Sequence, residues 1–221
     1  MADMNLIEQL HRALPQTQCK RCDQPDCLSY ARAIARGEAD INQCPPGGQE
    51  GVRRLAAITA LPERPLNPAN GYEGPLTLAV IDEQWCIGCT LCIKACPTDA
   101  ILGTNKFMHT VIAEACTGCE LCIPVCPVDC ISLTPVSGDQ TGWAAWSQAQ
   151  ADTALQAYNA RQTRLAREAQ EHEQRLAAKA QHKLDDLAAA SKHTDPVVLD
   201  RKRAIIEAAL ARARERQQSS R

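Results

Sequence analysis

The first fourteen residues place Leu6, Ile7, Leu10 and Leu14 on one helical stripe, and the run stops at Pro15. A second amphipathic run, LSYARAIARG (28–37), closes on Gly37, a residue suited to the left-handed position after a helix. A third, GVRRLAAITAL (51–61), stops at Pro62. The stretch PERPLNPANGYEGP (62–75) has no apolar period and reads as a linker. Beyond it, LTLAVID (76–82) and HTVIAEA (109–115) predict short strands. From Trp143 onward the chain has no Gly and a single Pro, a composition that favours helix. Leu155, Leu165, Leu176, Leu184 and Leu187 mark a thin seam along it. The break SKHTDP, with Thr194 or Asp195 as a cap and Pro196 in the first turn, starts a last helix with Val198, Ile205, Ile206, Ala209 and Ala213 on one face.

The pattern predicts an α+β protein in four parts. These are a small helical module (1–61), the linker (62–75), a short-stranded domain (76–137) and a helical tail (138–221) that forms a hairpin or coiled-coil-like extension. A partly disordered tail is the alternative, because its seam is rich in Ala.

Thirteen cysteines change the picture, all of them before residue 131. CIGCTLCIKACPTDAI (86–101) and CTGCELCIPVCPVDCI (116–131) are one motif repeated thirty residues apart, C-x2-C-x2-C-x3-C-P. This is the run of bacterial two-cluster ferredoxins, in which the fourth Cys of each unit ligates the other unit's cluster. One [4Fe–4S] cluster is therefore expected on Cys86, Cys89, Cys92 and Cys126, and another on Cys116, Cys119, Cys122 and Cys96, across a pseudo-two-fold repeat. Cys130 occupies the place that Ala100 takes in the first unit, so it is read as a small buried residue and not a ligand. Gly88 and Gly118 are expected to let the backbone come close to the clusters.

The first four cysteines, Cys19, Cys22, Cys27 and Cys44, follow C-x2-C-x4-C-x16-C. From spacing alone, a structural zinc site and a further iron–sulfur cluster both remain open, because C-x2-C is also a common zinc half-site.

The segment LPQTQCKRCDQPDCLSYARAIARGEADINQCPPGG, followed by a linker and the tandem motif, resembles the cytosolic part of the B subunit of the Rnf (Rsx) electron-transport complex. The likeness covers roughly residues 5–135. It implies a third [4Fe–4S] cluster on Cys19, Cys22, Cys27 and Cys44. It also implies single-electron relay between redox partner proteins, among them other subunits of a membrane electron-transport complex. In that family the N-terminus carries a membrane-spanning helix. Here MADMNLIEQLHRAL has no such run, and no integral membrane segment is expected. The chain is expected in the cytoplasm, where thiols stay reduced, or peripherally on the cytoplasmic face of the inner membrane.

Other chemistries find little footing. No phosphate-binding loop, dinucleotide fingerprint or nucleophile–base set stands out, so no independent catalytic site is expected. His11 and His109 lie beside cysteine motifs and are candidates to tune or ligate a cluster, with an ordinary structural role as the alternative. Residues 1–150 hold 10 Lys and Arg against 16 Asp and Glu, whereas residues 151–221 hold 14 against 10. An acidic head of −6 thus carries a basic tail of +4. Interleaved charges in the tail suit a solvated helix better than a phosphate track, so no nucleic-acid partner is expected. A redox-sensing or adaptor role exercised through the tail is the competing functional class.

Overall fold

A computed structural model describes residues 4–219, which divide into two units, one ending at Arg161 and the other starting at Gln162. In the first unit, α1 (Met4–Arg12) buries Ile7 and Leu10, and Leu14 is buried just beyond its end. Helix α2 (Cys27–Ala35) starts one residue before the predicted run, where the Asp26 carboxylate accepts from the Ser29 amide at 2.7 Å. Helix α3 (Gly48–Thr59) turns Val52 and Leu55 inward. Leu10, Leu14, Tyr30, Ile34, Ile41, Val52 and Leu55 form one apolar core. The Tyr30 hydroxyl satisfies two backbone groups inside it, donating to the Asp40 carbonyl at 2.7 Å and accepting from the Gln43 amide at 3.0 Å.

The predicted linker does not hang free. Asn67 donates its amide to the Asn42 carbonyl at 2.9 Å, and the buried Asn70 side chain donates to the Arg21 carbonyl, also at 2.9 Å. The Glu73 carboxylate accepts from the Gln49 amide in the first turn of α3 at 2.8 Å and from the Thr141 hydroxyl at 2.7 Å. A carboxylate at a helix N-terminus is electrostatically favoured. Residues 66–73 therefore lie along the N-terminal module as part of its wall.

In the stretch that follows, β1 (Thr77–Ile81) pairs antiparallel with β4 (Ile131–Pro135), joining the two ends of the tandem motif. Alternation along β1 buries Ala79 and Ile81 and exposes Val80. Helix α4 (Leu91–Ala95) follows the first two cysteines and carries the third, and β2 (Ile101–Leu102) pairs with β3 (Thr110–Val111). The second predicted strand is thus only two residues long. Residues 113–115 tighten into a 3-10 turn, and the Cys116 amide bonds back to the Ile112 and Ala113 carbonyls.

Past residue 138, α5 (Gly142–Ala145) and the start of α6 (Gln148–Asp185) belong to the same unit as the cysteine modules. Trp143, Trp146, Ala151 and Ala154 form a further apolar cluster, with Leu76 against it, besides the one that Ala79, Ile81, Ile101 and Ile131 build in the tandem-motif domain. The Trp146 indole donates to the Pro15 carbonyl at 2.9 Å, and the Arg54 guanidinium stacks 3.8 Å over the Trp143 ring. Further along, the Tyr158 hydroxyl bonds the Asp26 carboxylate at 3.2 Å. Arg161 pairs with Asp99 at 3.2 Å and donates to the Lys94 carbonyl at 2.6 Å. One helix face thereby grips both the N-terminal module and the tandem motif.

The second unit holds the remainder of α6, then α7 (Leu187–Ala190) and α8 (Pro196–Ser219). Leu187 and Leu210 are its buried apolar residues, while Leu176 is exposed. The inward face of α8 is turned one position from the predicted one. Val198, Lys202, Ile206 and Leu210 are shielded, whereas Ile205 and Ala209 are exposed. Lys202 adapts by bonding the Ser191 hydroxyl at 3.0 Å. The side chain of Ala213 lies outside the described residues. Among the described residues no helix is long and apolar enough to cross a membrane.

The division makes a measurable prediction. Trp146→Ala should lower stability by about 3–5 kcal/mol in urea unfolding of the anaerobic protein. Ending the chain after Arg161 should leave the midpoint of the first unit's unfolding unchanged.

Candidate metal centres

The N-terminal cysteines sit on a loop with an unusual backbone. Gln16, Gln18, Lys20 and Asp23 all take positive φ, between 54° and 63°. Each costs a non-glycine residue on the order of 1 kcal/mol or more, so other contacts must enforce the shape. Two buried glutamines do so. The Gln18 side-chain oxygen accepts from the Cys27 amide at 2.9 Å, its nitrogen donates to Gln16 at 3.1 Å, and Gln16 in turn bonds the His11 carbonyl. The loop that results carries Cys19 and Cys22, while Cys27 opens α2 and Cys44 precedes the turn at Pro45. All four line a single cavity with Leu14, Tyr30 and Pro45. Burial pushes the thiols of Cys22, Cys27 and Cys44 above their ordinary range, Cys44 far above it. His11 is half-buried beside this loop, and burial holds its imidazole below its ordinary value.

In the tandem motif the same positions turn left-handed in both units. Gly88 and Gly118 have φ of 67° and 65°, Thr90 and Glu120 of 66° and 65°, and Asp99 and Asp129 of 54° and 49°. The glycines are needed for more than their φ. A Cβ on Gly88 would come within 2.5 Å of the Phe107 backbone, and one on Gly118 within 2.5 Å of the Thr77 carbonyl. At both positions the absent side chain leaves space for neighbouring backbone.

Cys96 belongs to the first unit, yet it lines one cavity with Cys116, Cys119 and Cys122 of the second. The Ala100 amide donates to its sulfur at 3.2 Å. Burial, with the neighbouring cysteines adding to it, pushes Cys119 up to about 11 and Cys122 to about 12. On the other side, Cys86 and Cys89 are half-buried and Cys92 is buried. Cys126, from the second unit, stands beside Cys130 with their sulfurs 3.5 Å apart. Burial first, and then Cys126 and Cys86, push Cys130 up to about 12. The Cys130 thiol thus interacts with both Cys126 and Cys86.

Among the described residues no three His, Cys, Asp or Glu side chains are close enough to share one ion. Two of the cysteine sets instead line cavity walls. A buried thiol cannot ionise without a compensating positive charge, so these donor sets fit a group that brings several cations with it.

The two cysteine modules touch directly. The Thr117 hydroxyl donates to the Thr17 carbonyl at 3.2 Å, and Arg21 pairs with Glu120 at 2.5 Å. Each contact joins the Cys19 loop to the Cys116 loop.

Known proteins match both modules. A family described as a 4Fe-4S dicluster domain matches residues 79–133, and an Fe-S cluster family matches residues 14–46. The B subunit of the ion-translocating oxidoreductase complex of Thiobacillus denitrificans is 59% identical over 138 residues, covering 62% of this chain and 73% of that protein. The chain belongs to this family of B subunits. Its counterpart from Azoarcus is 58% identical over 138 residues, or 62% of this chain and 75% of its own length. That of Alkalilimnicola ehrlichii is 54% identical over 151 residues, or 67% and 80%. No solved structure matches. As a member of the family the chain carries iron–sulfur cofactors and transfers electrons.

Sequence reasoning missed Gln16, Gln18 and Arg161. A polar residue between cysteines gives no hint that it is buried, and Arg161 lies in a run of ordinary helical charges. The glycine geometry supplies a test. Gly118→Ala should reduce the iron bound per chain, because the added methyl blocks the loop from closing on Thr77. Gly138→Ala should leave iron unchanged, since nothing lies within 4 Å of that position.

Proposed function

We propose that this protein relays single electrons through three [4Fe–4S] clusters. One is held by Cys19, Cys22, Cys27 and Cys44, a second by Cys86, Cys89, Cys92 and Cys126, and a third by Cys116, Cys119, Cys122 and Cys96. Cys130 fills space beside Cys126 without ligating. What supports the reading most is the cavity that Cys96 shares with the three cysteines of the other unit, since only crossed ligation uses that arrangement. The cavity lined by all four N-terminal cysteines supports the first set in the same way.

A [4Fe–4S] cluster supplies a one-electron couple whose potential the surrounding protein sets. The chain's own residues hold the sulfurs, exclude water and keep the modules together. Leu14, Tyr30 and Pro45 shield the first site, and Ala79, Ile101, Val111 and Leu133 shield the third. Arg21 and Thr17, against Glu120 and Thr117, make these two sites neighbours.

The partners of this reading are redox proteins, including other subunits of an ion-translocating complex, met at the cytoplasmic face of the membrane. The acidic head favours basic partner surfaces and an encounter rate that falls with salt.

Anaerobic purification with metal counting tests the proposal. The expected result is about twelve irons per chain and no zinc. About eight irons with one zinc would assign the first set to a structural zinc, and colourless, iron-free protein would overturn the reading. Crossed ligation has its own check by EPR of the reduced protein. Cys96→Ala should abolish the same signal as Cys116→Ala, and Cys126→Ala the same signal as Cys86→Ala.

A further inference from the structure

His109 is 1% exposed, although residues 102–108 immediately before it are all exposed. Its Nδ1 lies 3.2 Å from the sulfur of Cys92, and its Nε2 is buried with no hydrogen-bond partner. Leaving a buried polar atom unpaired costs roughly 1–3 kcal/mol, and a Leu or Phe would fill the same space without that cost. The seat is also specific. Gly103 has φ of 153°, and a Cβ there would overlap the His109 ring. Half-satisfied, enclosed and held against a cysteine sulfur, this imidazole is better explained by what it does to that sulfur than by packing.

The hydrogen bond has one direction once Cys92 is a ligand. A ligating thiolate carries no proton, so Nδ1 must carry it and donate, which leaves Nε2 as the bare nitrogen. Donation to a cluster sulfur favours the more negative, reduced form and raises the reduction potential. The effect falls on one side of the repeat alone. His109 is the one histidine between Thr77 and Pro135, and the position thirty residues on is Asp139, beyond β4. Two near-identical cysteine sets therefore receive different surroundings.

We infer that His109 is a positioning residue that donates Nδ1–H to Cys92 and raises the potential of the centre held by Cys86, Cys89, Cys92 and Cys126, apart from that of its twin. The inference rests on the ligand sets proposed above. An electron moving between the two ferredoxin-type centres then meets an energy step built by a single side chain.

Redox titration followed by EPR is the test. His109→Leu should shift the midpoint of the signal that Cys86→Ala abolishes to a more negative value and leave the other signals in place. His109→Asn, whose amide reaches the Nδ1 position, should restore most of the shift. Equal potentials in wild type and His109→Leu, or equal shifts for Leu and Asn, would overturn the inference. Pulsed EPR of wild-type protein grown on 15N-histidine provides a check that needs no variant. A weak nitrogen coupling on that signal is expected. No coupling, or one large enough for a nitrogen bound to iron, would refute a donor role. Loss of iron from the wild type would count against the ligand assignment and not against His109.

Discussion

A cysteine sulfur buried among apolar groups is a poor anion, and that constraint organises the molecule. Cys27, Cys44, Cys119 and Cys122 all have thiols driven above their ordinary range, chiefly by burial. Such sites are costly as thiolates, and under the proposed ligand sets iron would bring the compensating charge. The secondary structure around them is slight, with two-stranded sheets and a five-residue helix carrying the tandem motif. Aromatic residues make up 3% of the chain, too few to supply a conventional large core. A domain so thin in conventional core has reason to use a bound cluster as part of its interior.

Holding the loops requires an unfavourable backbone, and each module meets that cost differently. In the N-terminal loop, four non-glycine residues with positive φ are kept in place by the buried Gln16 and Gln18 side chains. In the tandem motif, glycines at 88 and 118 lie against neighbouring backbone that leaves no space for a side chain. The polar solution in one place and the steric solution in the other reach the same end, a loop held in one shape by contacts outside the cysteines.

Electron transfer also needs the modules to keep fixed positions. Three separate segments provide this. Glu73 fastens the connecting stretch to α3 and Thr141, Trp146 reaches back to Pro15, and Arg161 closes on Asp99. Ala151 and Ala154 at the start of α6 are buried and cluster with Trp143 and Trp146. The helix is thus structural up to Arg161, and the unit that begins at Gln162 is a separate body.

The cysteine motifs, the strand LTLAVID and the first three helices were legible in the sequence because each depends on neighbours a few residues away. Ligand spacing is dictated by the size of what is bound, and a hydrophobic stripe by the helical repeat. Those local rules identified the chemistry. Apart from the buried Gln16 and Gln18, whose partners lie within nine residues, most of what they left out depends on contacts between separate segments. Thr117 meets Thr17 across 100 residues and Trp146 meets Pro15 across 131. The docking of residues 66–73, the end of the head at Arg161, the inward face of α8 and the seat of His109 against Cys92 are likewise set by surfaces from separate segments. Spacing rules can name the atoms that hold a cofactor, but which surfaces meet depends on complementary shape, and shape exists only after the chain has folded.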